Sequence, residues 1–90
     1  MSTKIVEEIS PSQCRAGRAL LEITQTQLAK MAGLGLSTVV DFEKERRKVL
    51  LESVISLRRA LKSAGVEFID ENGGGPGVRL HQRQRTKKSK

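Results

Sequence analysis

The chain has 90 residues, of which 37% are hydrophobic and only two are aromatic, so it has room for one domain around a small aliphatic core. Its single cysteine, Cys14, excludes an intrachain disulfide, and no apolar run resembles a signal peptide or reaches the ~20 residues that span a bilayer. These features predict a cytoplasmic, reduced protein that does not enter a membrane.

The positive charge is concentrated at one end of the chain. The formal net charge is +7, and residues 81–90 (HQRQRTKKSK) contribute five cations and no acid. A basic tail of this kind suits a polyanion such as nucleic acid. It also suits a disordered end that only keeps the protein soluble, and charge alone leaves both interpretations open.

The first helix is predicted from its start signal. Residues 1–9 show no periodicity and are expected to form a flexible N-terminus. Ser10 then stands where it can cap a helix, Pro11 fits the first helical position, and Gln13 completes a capping box. The pattern predicts a helix from about Pro11 to Glu22.

The second helix repeats this arrangement. Thr24 is the predicted cap, and Gln27 stands three residues later. Gly33 is suited to end the helix, because glycine adopts the left-handed conformation at little cost. Its predicted buried stripe consists of Leu28, Ala29 and Ala32.

A third helix is predicted to begin near Leu36. At 100° per residue, Val39 and Phe42 face one side, which we assign to the core. The opposite side would show two aliphatic side chains to water, and this loses stability unless something contacts them. That outward face carries Leu36, Ser37, Val40, Asp41 and Lys44.

The remainder of the chain predicts one more helix and a hairpin. After a charged connection, a helix is expected from about Leu50 to Ala64. Residues 66–69 and 77–80 then alternate like strands around a glycine-rich turn, which predicts a β-hairpin over residues 66–80; a flexible linker is the alternative. The apolar face of the helix consists of Leu51, Val54, Ile55, Leu57, Leu61 and Ala64.

The sequence offers little chemistry for catalysis or metal binding. His81 and Cys14 are each alone and far apart in sequence, so no metal cluster or nucleophile–base set can be assembled. Residues 72–77 are rich in glycine but lack the Gly-Lys-Ser/Thr ending of a phosphate loop. We therefore expect no enzyme, no catalytic residue, no metal and no cofactor.

The arrangement of the second and third helices is more informative. A short helix, a tight turn with glycine and a second helix form the helix-turn-helix pattern, in which the second helix enters the DNA major groove. The first helix of such a pair presents its N-terminus to phosphate. Here that N-terminus is polar and carries no acid, and its free N–H groups favour an anion.

Residues 13–64 resemble the helix-turn-helix of the phage-repressor family, the Cro and XRE type. The resemblance implies a mainly α fold, a lambda-repressor-like bundle of four helices over residues 10–65. Residues 65–80 also resemble the C-terminal piece that replaces the fifth helix in many small bacterial regulators of this type. A disordered basic tail would follow at residues 81–90. The matching residues are Arg18, Thr24-Gln25, Leu28-Ala29, Gly33, Ser37-Thr38-Val39 and Phe42-Glu43.

The resemblance also implies roles for individual residues. Arg18 and Glu43 occupy positions that form a partly buried ion pair, which ties the first helix to the end of the third. The base-facing positions are Leu36, Ser37, Val40 and Asp41, which are also on the outward face derived above. The expected phosphate contacts are Thr24, Gln25, Lys44, Arg46, Arg47 and Lys48.

Two departures from the family pattern affect how DNA would be read. Many relatives carry Gln, Arg or Lys at the outward positions, whereas this face offers Leu, Ser, Val and Asp with Lys44 as its only cation. Bidentate recognition of purines by Arg or Gln from the helix centre is therefore not available. Glu45 and Val49 stand where many relatives have Gly and Pro, so the turn after the third helix can differ. We expect sequence preference to depend on methyl contacts and DNA shape.

These observations predict a bacterial, phage or mobile-element transcriptional regulator, with repression favoured over activation. It would bind a palindromic operator in double-stranded DNA as a homodimer, associated with the nucleoid. The open hairpin edge is the expected dimerisation element, with Phe68, Val78 and Leu80 as candidates. One alternative is a protein-interaction module, of antiactivator or antitoxin type, that uses the apolar face of the third helix. Another is nonspecific nucleic-acid binding led by the tail.

Overall fold

The computed structural model describes residues 8–70 and 73–81 and contains helices followed by a hairpin. The four predicted helices and the C-terminal hairpin are confirmed. Of the predicted flexible N-terminus (residues 1–9), residues 1–7 lie outside the described residues. Of the predicted basic tail (residues 81–90), residues 82–90 lie outside them. The elements are α1 (Pro11–Leu21), α2 (Gln25–Ala32), α3 (Leu36–Glu43), α4 (Leu51–Ser63), β1 (Val66–Ile69) and β2 (Gly77–Leu80).

Both capping boxes form as the sequence predicts. The Gln13 backbone N–H donates to Ser10 Oγ at 3.0 Å, and the Ser10 N–H donates back to Gln13 Oε1 at 3.0 Å. At α2, the Gln27 N–H donates to Thr24 Oγ1 at 3.0 Å, and the Thr24 N–H donates to Gln27 Oε1 at 2.8 Å. Four N–H groups that a helix start would leave unpaired are thereby satisfied, which fixes where each helix begins.

A core of mostly aliphatic side chains joins the four helices and β1. It includes Ile9, although the sequence had placed Ile9 in the flexible N-terminus. Ile9 precedes the cap Ser10, and Cys14 stands at the fourth helical position; these are the two positions of a hydrophobic staple. The buried hydrophobic residues are Ile9, Cys14, Leu28, Ala29, Val39, Val54, Leu57, Ala60, Leu61 and Val66.

The apolar face of α4 is buried in its middle and exposed at its ends. Leu51 and Ala64, which the sequence placed on the buried face, are exposed, and Leu50 just before the helix is 72% exposed. The reason is length, because α4 has 13 residues and packs against α2, which has only 8. At ~1.5 Å per residue the longer helix extends beyond its neighbour. The buried residues of α4 are Val54, Leu57, Ala60 and Leu61.

The hairpin is held against α1 and α4. Its strands are antiparallel, with Val66 opposite Leu80. Val66 is buried close to Gly17 of α1, where an added Cβ would stand 3.3 Å from Leu61 Cδ1 and 3.7 Å from Val66 Cγ1. At the other end, the Gln13 side-chain amide donates to the Gly77 carbonyl at 3.1 Å. The hairpin is therefore part of the domain's packing.

Candidate nucleic-acid interface

A tight turn sets α3 against α2. Gly33 ends α2 in the left-handed conformation, with φ of 70°, as predicted from the sequence. The Leu34 N–H donates to the Ala29 carbonyl at 2.9 Å, and α3 begins two residues later after Gly35. Val39, on the inner side of α3, is fully buried. The turn and this contact together fix the position of α3.

The end of α3 is anchored by Glu43, whose side chain is almost completely buried. Arg18 of α1 donates to both carboxylate oxygens, from Nε to Oε2 at 2.8 Å and from Nη2 to Oε1 at 2.8 Å. These are the two residues that the family resemblance pairs. A bidentate arginine–carboxylate contact holds both partners in one geometry, so α3 cannot turn about its axis without breaking it.

Two further donors reach the same carboxylate. Cys14 Sγ donates to Glu43 Oε2 at 3.2 Å, and Gln25 Nε2 donates to Oε1 at 3.0 Å. Sequence reasoning had found no partner for Cys14 and had assigned Gln25 to phosphate. Nothing local in the sequence reveals these contacts, since they join α1, α2 and α3 across 29 and 18 residues of chain.

The titration of these groups follows from burial and from the shared hydrogen bonds. Burial by itself raises the pKa of Glu43, but the hydrogen bonds from Arg18, Cys14 and Gln25 outweigh it and lower the pKa below its usual value. Burial and the neighbouring Glu43 raise the pKa of the Cys14 thiol. Cys14 is therefore a protonated donor, and Glu43 is an anion, throughout the neutral range.

Arg15 provides a contact that sequence reasoning missed. Its Nη1 donates to the backbone carbonyl of Glu43, and its Nη2 donates to Ser12 Oγ at 3.1 Å. The last turn of α3 has no basic residue of its own, so this arginine supplies the cation that the negative end of a helix favours. Arg15 and Arg18 stand three residues apart on α1, which places them on one face of that helix and was the available signal.

The outward face of α3 is exposed at its start and more covered towards its end. Leu36 is 46% exposed and Ser37 is also exposed, whereas Val40 and Asp41 are half-buried. Asp41 differs from its predicted role in one respect, because its carboxylate is already paired with Arg47. The structure thus brings the four predicted base-facing residues onto one surface, with an ion pair at its edge.

The predicted phosphate contacts come from two segments, the end of α3 and the start of α2. Lys44, Arg46, Arg47 and Lys48 follow α3 and are all exposed. At the start of α2, Thr24 caps the helix and is exposed, with its hydroxyl oxygen accepting from the Gln27 N–H. The Gln25 amide nitrogen donates to Glu43, so this residue links the predicted phosphate site to the anchor of α3.

The three predicted dimerisation residues differ in exposure. Phe68 and Val78 are half-buried and pack against the core, and the Arg58 guanidinium carbon lies 5.5 Å from the centroid of the Phe68 ring. Leu80 is 47% exposed. Phe68 and Val78 therefore contribute to the fold itself, and Leu80 with the edge of β2 remains on the surface.

Two further observations concern residues 8–70 and 73–81. In these ranges no group of three or more His, Cys, Asp or Glu side chains could hold a metal ion. Within the same ranges, every helix is too short or too polar to cross a bilayer.

Comparison with known proteins gives one result for most of the chain. A family model described as helix-turn-helix matches residues 15–68, which include all of α2, α3, α4 and the first strand except its last residue. No curated protein matches the chain. The match covers the turn between α2 and α3 and the Arg18–Glu43 anchor.

Proposed function

The chain belongs to the Cro/C1-type helix-turn-helix family of DNA-binding regulators, and on that premise we propose that it is a transcriptional repressor that binds a palindromic operator as a homodimer. In this proposal α3 enters the major groove. The observation that carries the proposal is that buried Glu43 anchors the C-terminal end of α3 while Leu36 and Ser37 are exposed at its start. A helix that is held in place and exposes polar and apolar side chains is what the major groove accepts.

The residue types on that face indicate how bases would be read. Leu36 and Val40 can pack on thymine methyl groups, and Ser37 can exchange a hydrogen bond with a base edge or phosphate. Asp41 can accept from the amino group of cytosine. Burying the exposed part of Leu36 against DNA would also recover the free energy that its contact with water costs.

Polar and basic groups at the start of α2 and after α3 support contacts with the DNA backbone. The N-terminus of α2 offers free N–H groups together with the Thr24 hydroxyl and Gln25, and helix N-termini favour phosphate. Beyond α3 stand Lys44, Arg46, Arg47 and Lys48, all of which are exposed. Phosphate contacts of this kind supply affinity and orientation without sequence information.

The outer edge of β2 supports the homodimer. The His81 N–H donates to the Gly65 carbonyl at 2.6 Å, which places residue 81 at a position of the ladder that points its N–H towards the first strand. Pairs alternate along an antiparallel ladder, and the register therefore points the N–H groups of Val78 and Leu80 away from β1. In the described residues no third strand joins the sheet. A second copy pairing there would give a continuous four-stranded sheet.

Operator binding is tested by selection from random double-stranded DNA with the full-length protein at about physiological salt. We expect a palindrome whose half-sites are about 10 base pairs apart. The two copies of α3 in a symmetric dimer would enter successive major grooves, which are one helical turn apart. Ser37→Ala and Asp41→Ala should change the recovered sequence. Enrichment of nothing beyond general duplex would contradict the proposal.

The dimer is tested with Leu80→Pro, which removes an N–H from the open edge and leaves the bonds to β1 in place. Leu80→Ala is the matched control because it shortens the side chain and keeps the N–H. We expect Leu80→Pro to be monomeric by sedimentation, with the helical circular dichroism of the unchanged protein. A dimer that survives this substitution would exclude pairing through β2.

A second candidate function follows from the same exposed face. An apolar surface around Leu36 and Val40, bordered by an acid, also suits a protein partner, as in an antiactivator or antitoxin. In that case Ser37→Ala with Asp41→Ala would barely affect capture of the partner, and the selection would recover no sequence. A variant without residues 81–90 distinguishes operator binding and partner binding from nucleic-acid binding led by the basic tail. Only the tail-led binding would be abolished by this deletion.

A further inference from the structure

Asp41 is half-buried although it lies on the outward face of α3. Arg47 Nε stands 2.7 Å from its Oδ2, and Arg46 Nη1 stands 3.9 Å from its Oδ1. The Asp41 side chain is 16% exposed, whereas the two arginines are 58–59% exposed. In the free protein, Asp41, which is expected to contact bases, is thus paired with two arginines that are expected to contact phosphates.

The backbone at the end of α3 produces this arrangement. Glu45 adopts the left-handed conformation, with φ of 54°, and its N–H donates to the Phe42 carbonyl at 3.2 Å. The next N–H, that of Arg46, donates to the Asp41 carbonyl at 3.0 Å. This closure folds the chain back over the last turn of the helix. Arg46 and Arg47 therefore start beside Asp41, and the ion pair follows from the turn.

The pairing reduces the charge that the protein offers to DNA of any sequence. Binding to unrelated duplex comes almost entirely from cations that neutralise phosphates and release counterions. Arg46 and Arg47 alone would carry a charge of +2, and the Asp41 carboxylate reduces this charge to +1. A duplex with no amino group at this position offers Asp41 no donor that could replace its arginines.

We propose that Asp41 determines specificity by holding Arg46 and Arg47 away from the phosphates of unrelated DNA. It releases them only where a base edge offers an amino group to its carboxylate. The proposal rests on the proposed function, since it takes α3 into the major groove. In this proposal Asp41 weakens binding to unrelated sequences and also contacts a base of the operator.

The test is Asp41→Asn, which keeps the size of the side chain and removes its charge. Binding is measured by fluorescence anisotropy over a series of salt concentrations, on the selected operator and on a duplex of unrelated sequence. On unrelated DNA we expect an affinity increase of about fivefold, and a log–log salt dependence steeper by about one. The ratio of operator affinity to unrelated affinity should fall.

A matched control is available in the hairpin. Glu67 pairs with Arg79 at 2.6 Å, both exposed, in an element that packs on α1 and α4. Glu67→Gln makes the same change in net charge and releases an arginine away from α3. It should leave the affinity for unrelated DNA within about twofold. An equal increase in both variants would show an effect of net charge alone and would overturn the role of Asp41.

A double substitution separates release of arginine from simple repulsion of phosphate. If Asp41 acts by holding Arg47, then Asp41→Asn should raise affinity much less in the Arg47→Ala background. An equal increase with and without Arg47 would overturn the proposed mechanism. A protein that binds no duplex at all would instead refute the proposed function. Operator binding with unchanged affinity of Asp41→Asn for unrelated DNA would refute this inference alone.

Discussion

Two carboxylates of α3, Asp41 and Glu43, stand two residues apart, and each is paired with an arginine. The two pairs differ chiefly in their surroundings. Arg18 and Glu43 are joined at 2.8 Å with side-chain exposures of 21% and 1%. Arg47 and Asp41 are joined at 2.7 Å with exposures of 58% and 16%. The nearly equal distances show that the length of an ion pair does not identify its role.

The partners around each pair account for the difference. Glu43 accepts hydrogen bonds from Arg18, Cys14 and Gln25, so its charge is fully compensated inside the domain. Removing one member of such a set leaves buried groups without partners. Asp41 and its arginines remain in contact with water, which replaces whatever contact is lost. The first pair is suited to hold α3 in place, and the second is suited to exchange partners.

The largest expected effect is the loss of the buried carboxylate. Glu43→Gln should lower the free energy of unfolding by about 3–5 kcal/mol, because Arg18 would remain partly buried without a counter-charge. Urea denaturation followed by circular dichroism measures the change. A loss below about 1 kcal/mol would mean that the two pairs are energetically alike, and the comparison would fail.

The next expectation concerns acid. The pKa of Glu43 is lowered in the folded protein, so the unfolded chain binds the proton more tightly. Its contribution to stability is complete above the usual glutamate pKa of 4.5 and is lost as the pH falls through the lower folded value. Unfolding measured from pH 6 downwards should show this loss. In Glu43→Gln the acid-dependent loss should be smaller, and identical slopes would contradict the assignment.

The turn at Glu45, which brings Arg47 beside Asp41, is a site where a substitution should stabilise the fold. Glu45 holds a φ of 54°, which costs a residue with a side chain more than it costs glycine. Glu45→Gly should raise the free energy of unfolding by about 0.5–1 kcal/mol, after allowing for the greater freedom of glycine in the unfolded chain. Glu22→Gly, at φ of 59° after α1, is the matched case. Destabilisation at both sites would argue against the two left-handed turns.

The smallest expected change in stability is that of the exposed pair itself. Asp41→Asn should alter the free energy of unfolding by less than about 1 kcal/mol, because Arg46 and Arg47 stay hydrated without it. The same urea experiment checks this, in low and in physiological salt. A loss as large as that of Glu43→Gln would make Asp41 a structural residue, equivalent to Glu43.

Local signals in the sequence were sufficient for the elements. Ser10 and Thr24 start α1 and α2 where their capping boxes predicted, and Gly33 ends α2 as expected. Alternation around a glycine-rich stretch identified the hairpin. The pairing of Arg18 with Glu43 was available from the family resemblance. Each of these signals either involves neighbours within a few residues or is carried by a recurring motif.

Tertiary packing decided the remainder. It buried Ile9, exposed Leu51 and turned Phe68 inwards, because burial depends on what stands opposite a side chain. It also directed Cys14 and Gln25 to Glu43, and it left Asp41 to Arg47. Capping and periodicity are set by residues three or four apart, so the sequence alone determines them. The partner of a carboxylate is set by which helices meet around it, and only the folded chain brings those helices together.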